Sequence, residues 1–341
     1  MSKGFRFQVA LIGTVLSCAM FSSAEDTQKQ KLDRQYQSAV SDYDAGRYAA
    51  AAEQLEHLLP YAPNSFEIHE LLGLVYASLS EKVKAEEHLK TAVQLKPDSA
   101  LARTNLGTSL LHAGKTALAG EQFIKAHQLE PESFDTNRNL GQYYIQAGKI
   151  AEAQPFLEHA QQIKPDSYEN GYDLAMADLL LGRLSEARSV AQNVLKTRDT
   201  GELHNLLGQI DEKDGKFVAA ANDFETAAHI DPTEDNLFDW GSEMLLHRTY
   251  EPAIAIFQQA TMRFPKSPRL YIGLGLALYS RGKYDEAVRA LLTAADLDPS
   301  DPRCYVFLSK AYDSSPKQAE EVILSFRRYA EIRPNDARAQ Y

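Results

Sequence analysis

Cysteine is almost missing from this chain: Cys18 and Cys304 are the only two in 341 residues. Cys18 falls in an N-terminal apolar segment, so a single thiol remains beyond it. No intrachain disulfide can then staple the body of the chain, and stability has to come from packing. Long apolar runs are missing too. The stretch VALIGTVLSCAMF, residues 9–21, spans 13 residues, against roughly 20 needed to cross a bilayer as a helix. An excess of cations is also absent, since 36 Lys and Arg face 47 Asp and Glu for a net charge of −11. Phosphate backbones are repelled on average, and nucleic acid is not an expected partner. With 44% hydrophobic and 24% charged residues, the composition excludes both wholesale disorder and a multispanning membrane protein.

The first 24 residues stand apart. Lys3 and Arg6 precede the apolar run, and SSA supplies small residues before Glu25 and Asp26. This is the pattern of a secretory signal peptide cleaved after Ala24. Cleavage removes two positive charges and takes the net charge from −11 to −13. The expected destination is the bacterial periplasm or cell envelope. VLSC at 15–18 also resembles a bacterial lipobox, in which Cys18 would be lipidated and the chain anchored to the membrane, although Leu16 and the apolar AMF after Cys18 fit that pattern less well. Residues 25–31 are expected to form a short linker, and 337–341 a C-terminal tail.

Between these ends the chain repeats itself. AVQLKP, AHQLEP, AQQIKP, AAHIDP and AADLDP recur, and Pro63, Pro97, Pro131 and Pro165 lie 34 residues apart. Pro232, Pro265, Pro299 and Pro334 continue the series, with Asp199 holding one proline's place, which gives nine units over residues 32–336. Each unit reads as two helices. In LARTNLGTSLLHAG, Gly114 stands where a left-handed residue would end the first helix, and KTALAGEQFIKAHQL supplies the second. Gly46, Gly148, Gly182, Gly215 and Gly282 repeat that stop, each followed by Lys or Arg. The proline ends the second helix, and polar residues after it, as in PDSALA, PESFDT and PDSYEN, are expected to cap the next.

Glycine also recurs inside the first helices, as in Gly107 and Gly241, where it costs about 1 kcal/mol relative to Ala. Close approach of the paired helix is the compensating gain, with Phe123, Leu157, Phe224, Phe257 and Leu291 as the large residues that meet it. The fifth unit departs from the pattern, with Ala175 for Gly, Ala191 for a large residue and no closing proline. Pro155 is expected to kink its helix slightly.

LLGLVY, NLGQYY and GLGLALY, followed in each unit by Ala, a large apolar residue, Ala and Pro, resemble the tetratricopeptide repeat (TPR) over nearly the whole chain beyond the leader. The resemblance implies an all-α fold, a right-handed α-solenoid of about nine tetratricopeptide-type helix hairpins whose first helices line a concave groove. Projected onto this chain, it places Tyr36, Tyr43, Glu70, Leu74, Thr104, Thr108, Arg138, Gln142, Tyr172, Met176, Asn205, Gln209, Phe238 and Ser242 on the groove face. Asn105, Asn139 and Asn205 are candidates to hold a peptide backbone, since an amide offers both a donor and an acceptor.

Catalytic and metal motifs are not completed. AGKT at 113–116 needs a Gly where Ser109 stands, and HELLG at 69–73 has Gly73 where a second zinc-binding His belongs. GLG at 273–275 lacks its third Gly. The nine His are spread singly, so no metal ligand set and no cofactor is expected, and Glu86 and Glu87 are expected to face solvent. These readings point to a non-enzymatic scaffold that binds a protein or extended peptide segment in the groove and assembles an envelope complex. Two alternatives are a lipoprotein subunit of an outer-membrane or secretion assembly using convex faces and ends, and an accessory chain of a glycan- or peptide-processing enzyme. No capping helix follows Pro334, which leaves room for end-to-end self-association.

Overall fold

A computed structural model describes residues 23–314 and 318–336, with side chains from residue 29. The leader through residue 22, Cys18 included, lies outside them, as do Ser315, Pro316 and the tail from residue 337. The described residues form eighteen α-helices and one 3₁₀ turn, with no strand among them.

Two compact units meet at Leu181 and Gly182 in the sequence. The first holds α1 (Ser23–Asp44), α2 (Tyr48–Leu58), α3 (Phe66–Ser78), α4 (Lys82–Leu95), α5 (Ala100–His112) and α6 (Thr116–Leu129). It continues with α7 (Phe134–Gln146), α8 (Ile150–Ile163) and α9 (Tyr168–Leu180). The second holds α10 (Leu184–Leu195), α11 (Gly201–Lys213), α12 (Phe217–Ile230), α13 (Glu234–Leu246) and α14 (Tyr250–Arg263). It ends with α15 (Pro268–Ser280), α16 (Tyr284–Leu297), α17 (Pro302–Ser314) and α18 (Ala319–Ile332). Because α1 starts at Ser23, residues 25–31 are helical and not the linker the sequence suggested. α8 runs without a break through Pro155.

Within each unit every helix packs on its neighbours in sequence, and first helices also touch the first helices of adjacent hairpins, as in α3 with α5 and α11 with α13. The stop glycines behave as the pattern requires: all six, Gly114 among them, sit at φ between 72° and 84°. Ser80 and Arg248, both at φ 62°, take that place where glycine is missing. Ser99 and Ser167 cap α5 and α9 by accepting from the backbone N–H of Ala102 and Asn170, whereas Ser133 makes no such bond.

Gly73, Gly107, Gly141, Gly208, Gly241 and Gly275 each face the residue sixteen positions on. A Cβ built on Gly107 would stand 2.9 Å from the Phe123 ring, and one on Gly241 2.8 Å from Phe257. These rings occupy the space a side chain would need, which accounts for glycine in a helix interior.

A second device closes the corner between hairpins. The residue six positions after the repeat proline reaches back to that proline's carbonyl: His69 Nε2 to Pro63 O at 3.0 Å, Arg103 Nε to Pro97 O at 2.9 Å, Asn137 Nδ2 to Pro131 O at 2.6 Å and Tyr305 Oη to Pro299 O at 3.2 Å. Four different donors satisfy the same carbonyl, so sequence similarity hides the shared role. Asn137 is buried and also donates to Ser133 O at 2.8 Å. Asn137→Ala is expected to lower stability by about 1–2 kcal/mol in chemical denaturation. An unchanged midpoint would mean that water replaces the amide at no cost.

Candidate functional site

Every groove candidate sits on a first helix, as the resemblance implies. In the first unit, Tyr36, Tyr43, Glu70, Arg138, Tyr172 and Met176 are half-buried. In the second, Asn205, Phe238 and Ser242 are half-buried and Gln209 is exposed. The remaining six, Leu74, Thr104, Asn105, Thr108, Asn139 and Gln142, are 8% exposed or less. The expectation that these six line an open face is corrected: contact between adjacent first helices covers this part of the helix surface, and only the flanking positions keep access to solvent.

What the covered polar residues do is visible in their bonds. Asn105 Nδ2 donates to Glu70 Oε1 at 3.3 Å, 35 residues away, and Gln142 Nε2 donates to Asp173 Oδ2 at 3.0 Å. In the second unit Asn205 Nδ2 donates to Asp239 Oδ2 at 2.8 Å, and Gln209 Nε2 to Asn205 Oδ1 at 2.6 Å. Amide and carboxylate therefore pair across the seam between one hairpin's first helix and the next. Thr108 is occupied differently, donating to Thr104 O at 3.0 Å within its own helix.

Burial raises two carboxyls of these seams, Glu70 and Asp239. Glu70 is pushed up to about 7, chiefly by burial, against the Asn105 hydrogen bond and the Lys96 charge, which lower it. Tyr36 is pushed up to about 12 by burial and by the nearby Glu67 and Glu70 carboxylates. Asp239 is likewise raised by burial, opposed by Asn205 and Arg269. Arg269 lies 4.8 Å over the Phe238 ring, donates from Nε to Glu234 Oε1 at 2.7 Å, and pairs with Asp235. Each unit thus carries hydrogen-bonded carboxylate oxygens and half-buried aromatic rings on its first helices.

Packing between helices corrects the readings of Glu86 and of the histidines, across repeats for Glu86 and within one hairpin for the His69–His88 and His204–Asp223 pairs. Glu86 is buried, not solvent-facing, and is held between Lys90 Nζ at 2.6 Å and Lys115 Nζ at 2.7 Å, which lower its carboxyl. The histidines are not all isolated: His69 Nδ1 lies 3.0 Å from His88 Nδ1, and His204 stands between Asp223 at 2.7 Å and Asp199 at 3.1 Å. A possible ligand set does form, from Glu212, Glu243 and His247. Among the described residues no helix is long and apolar enough to cross a membrane.

Comparison with known proteins agrees with the hairpin geometry. A family model described as tetratricopeptide repeat matches residues 144–210, and a second with the same description matches 36–100, 84–128, 247–302 and 273–337. No match is found among curated proteins. Among solved structures, the C-terminal part of a TPR repeat-containing protein from Cytophaga hutchinsonii superposes with a TM-score of 0.56 at 16% identity, covering 80% of this chain and 99% of that one. Pseudomonas aeruginosa pilF gives 0.54 at 19% identity over 60% of this chain and 94% of its own. PilW, a widely conserved type IV pilus biogenesis factor, gives 0.53 at 22% over 61% and 96%. With matched hairpins, stop glycines and helix-interior glycines repeated along its length, the chain belongs to the tetratricopeptide repeat family, whose members are in general non-enzymatic scaffolds for protein–protein contact.

Proposed function

We propose that this chain is an exported scaffold that holds an extended segment of a partner protein along the first helices of a unit and so helps assemble a complex of the cell envelope. The observation that carries this reading is the set of first-helix side chains within each unit. Carboxylate and amide side chains are fixed across repeat seams, as in Glu70 with Asn105 and Asn205 with Asp239, beside the half-buried rings of Tyr36 and Phe238. Fixed acceptors bind a donor strand with less ordering cost than mobile ones, because their side-chain entropy is already lost on folding. The rings add apolar area on which alternate side chains of the segment can lie. The type IV pilus factor among structures of similar fold supports an envelope role, as does the signal-like leader.

The test is affinity capture from envelope extract with two groove variants, Arg138→Glu with Tyr172→Ala in the first unit and Gln209→Lys with Phe238→Ala in the second. Both are first matched to the parent chain in melting. A partner retained by the parent and lost by either variant is the expected result. Equal capture by all three would turn attention to the outer faces and the ends, where Ile323 and Leu324 of α18 are 47% and 56% exposed.

A further inference from the structure

Glu212 stands in the last turn of α11, and Glu243 and His247 lie one turn apart at the end of α13. The two helices are adjacent first helices, joined nearer their starts by the Asn205–Asp239 bond. His247 Nε2 is 3.1 Å from Glu212 Oε2 and 3.3 Å from Glu243 Oε1, and one donor atom from each residue falls within a span of 4.8 Å. Glu243 is 4% exposed, and apart from His247 at 3.3 Å its Oε1 has no hydrogen-bond partner. The imidazole is fixed from its flank by the Phe217 ring, whose centroid is 4.2 Å away.

Two carboxylates brought together, one of them buried with His247 as its sole neighbouring donor, form an unfavourable arrangement unless a cation or a proton joins them. An imidazole nitrogen and carboxylate oxygens converging from two helices, at separations near those between ligands sharing one ion, answer that need with a metal. Imidazole disfavours Ca²⁺ and Mg²⁺, which take oxygen ligands, and suits the zinc class. We propose that Glu212, Glu243 and His247 bind one divalent transition-metal ion, Zn²⁺ or a close relative, that ties α11 to α13. Three protein ligands leave at least one position for water or for a donor from a bound partner.

The test uses the purified full-length chain without an affinity tag, stripped with chelator and titrated with Co²⁺ and separately with Zn²⁺. One equivalent of Co²⁺ is expected to produce visible d–d absorption, and Zn²⁺ to displace it and raise the unfolding midpoint. His247→Ala and Glu212→Gln are each expected to weaken binding by more than the roughly 10–100-fold that loss of an outer-shell partner costs. Glu243→Gln removes one of the two facing carboxylates, so it should fold at least as well as the parent without metal and lose the Co²⁺ spectrum. Absence of the spectrum and of the Zn²⁺ shift in the parent would overturn the proposal. So would a response that persists in all three variants, since the ion would then sit elsewhere.

Discussion

Phe257→Ala is expected to be among the most damaging single substitutions in the second unit, costing about 3–5 kcal/mol. The ring is 0% exposed and belongs to a core that includes Leu237, Ile254, Leu270, Leu274 and Leu278. It serves two first helices at once. A Cβ added at Gly241 of α13 would lie 2.8 Å from the ring, and one added at Gly273 of α15 would lie 2.5 Å from it. Removing the ring leaves a space walled by glycines, which have no side chains to move into it, so relaxation recovers little and the loss sits at the upper end of the range for core truncations. In a repeat stack, stability is held in interfaces between neighbours, and α14 loses both of its first-helix contacts through this ring. Denaturation should therefore become broader or split, with a smaller slope, as hairpins on the two sides of α14 uncouple. Phe257→Leu keeps most of the volume and should retain one transition. A loss under about 1 kcal/mol for Phe257→Ala with one sharp transition would mean that the ring is not the wedge its position indicates.

The parts of this fold legible in the sequence are those governed by residues close along the chain. Gly114 ends a helix because its own backbone must turn, and Gly107 faces Phe123 because sixteen residues of helix, turn and helix place them together. Contacts made across repeats, 29–35 residues apart, were not legible. Asn105 and Arg138 occupy adjacent positions in the repeat pattern, yet one is buried under a seam with Glu70 and the other keeps access to solvent. Glu86 looked like any surface acid until Lys115 from the following hairpin closed on it. The convergence of Glu212 with Glu243 and His247 was hidden in the same way. Only the Glu243–His247 spacing of four, one helical turn, could have suggested it, and then only with the repeats aligned so that Glu212 fell beside them.

Glu70→Gln is expected to stabilise the chain above neutral pH and to leave it nearly unchanged in acid. In the folded chain burial is the main cause that pushes the carboxyl up to about 7 from its ordinary 4.5. Below 4.5 both folded and unfolded chains hold the proton, so the group contributes no penalty. Between 4.5 and 7 the unfolded chain has released its proton while the folded chain keeps it, so stability falls as pH rises. Above 7 the folded chain carries a costly buried carboxylate, and the full difference is on the order of 3 kcal/mol. Gln fills similar volume without a charge, so the variant should be about 1–3 kcal/mol more stable at pH 8 and should flatten the profile between 4.5 and 7. Denaturation curves for parent and variant from pH 4 to pH 8 measure this, and parallel profiles would sink the assignment. A groove carboxylate kept at such a cost has a use if a partner supplies a cation beside it. Binding a Lys or Arg side chain there would favour the ionised form, so affinity should rise as pH passes upward through 7 and the proton leaves. Glu70→Gln should lose that rise while gaining stability. Stability and binding would then move in opposite directions in one variant, which a purely structural role for Glu70 does not produce.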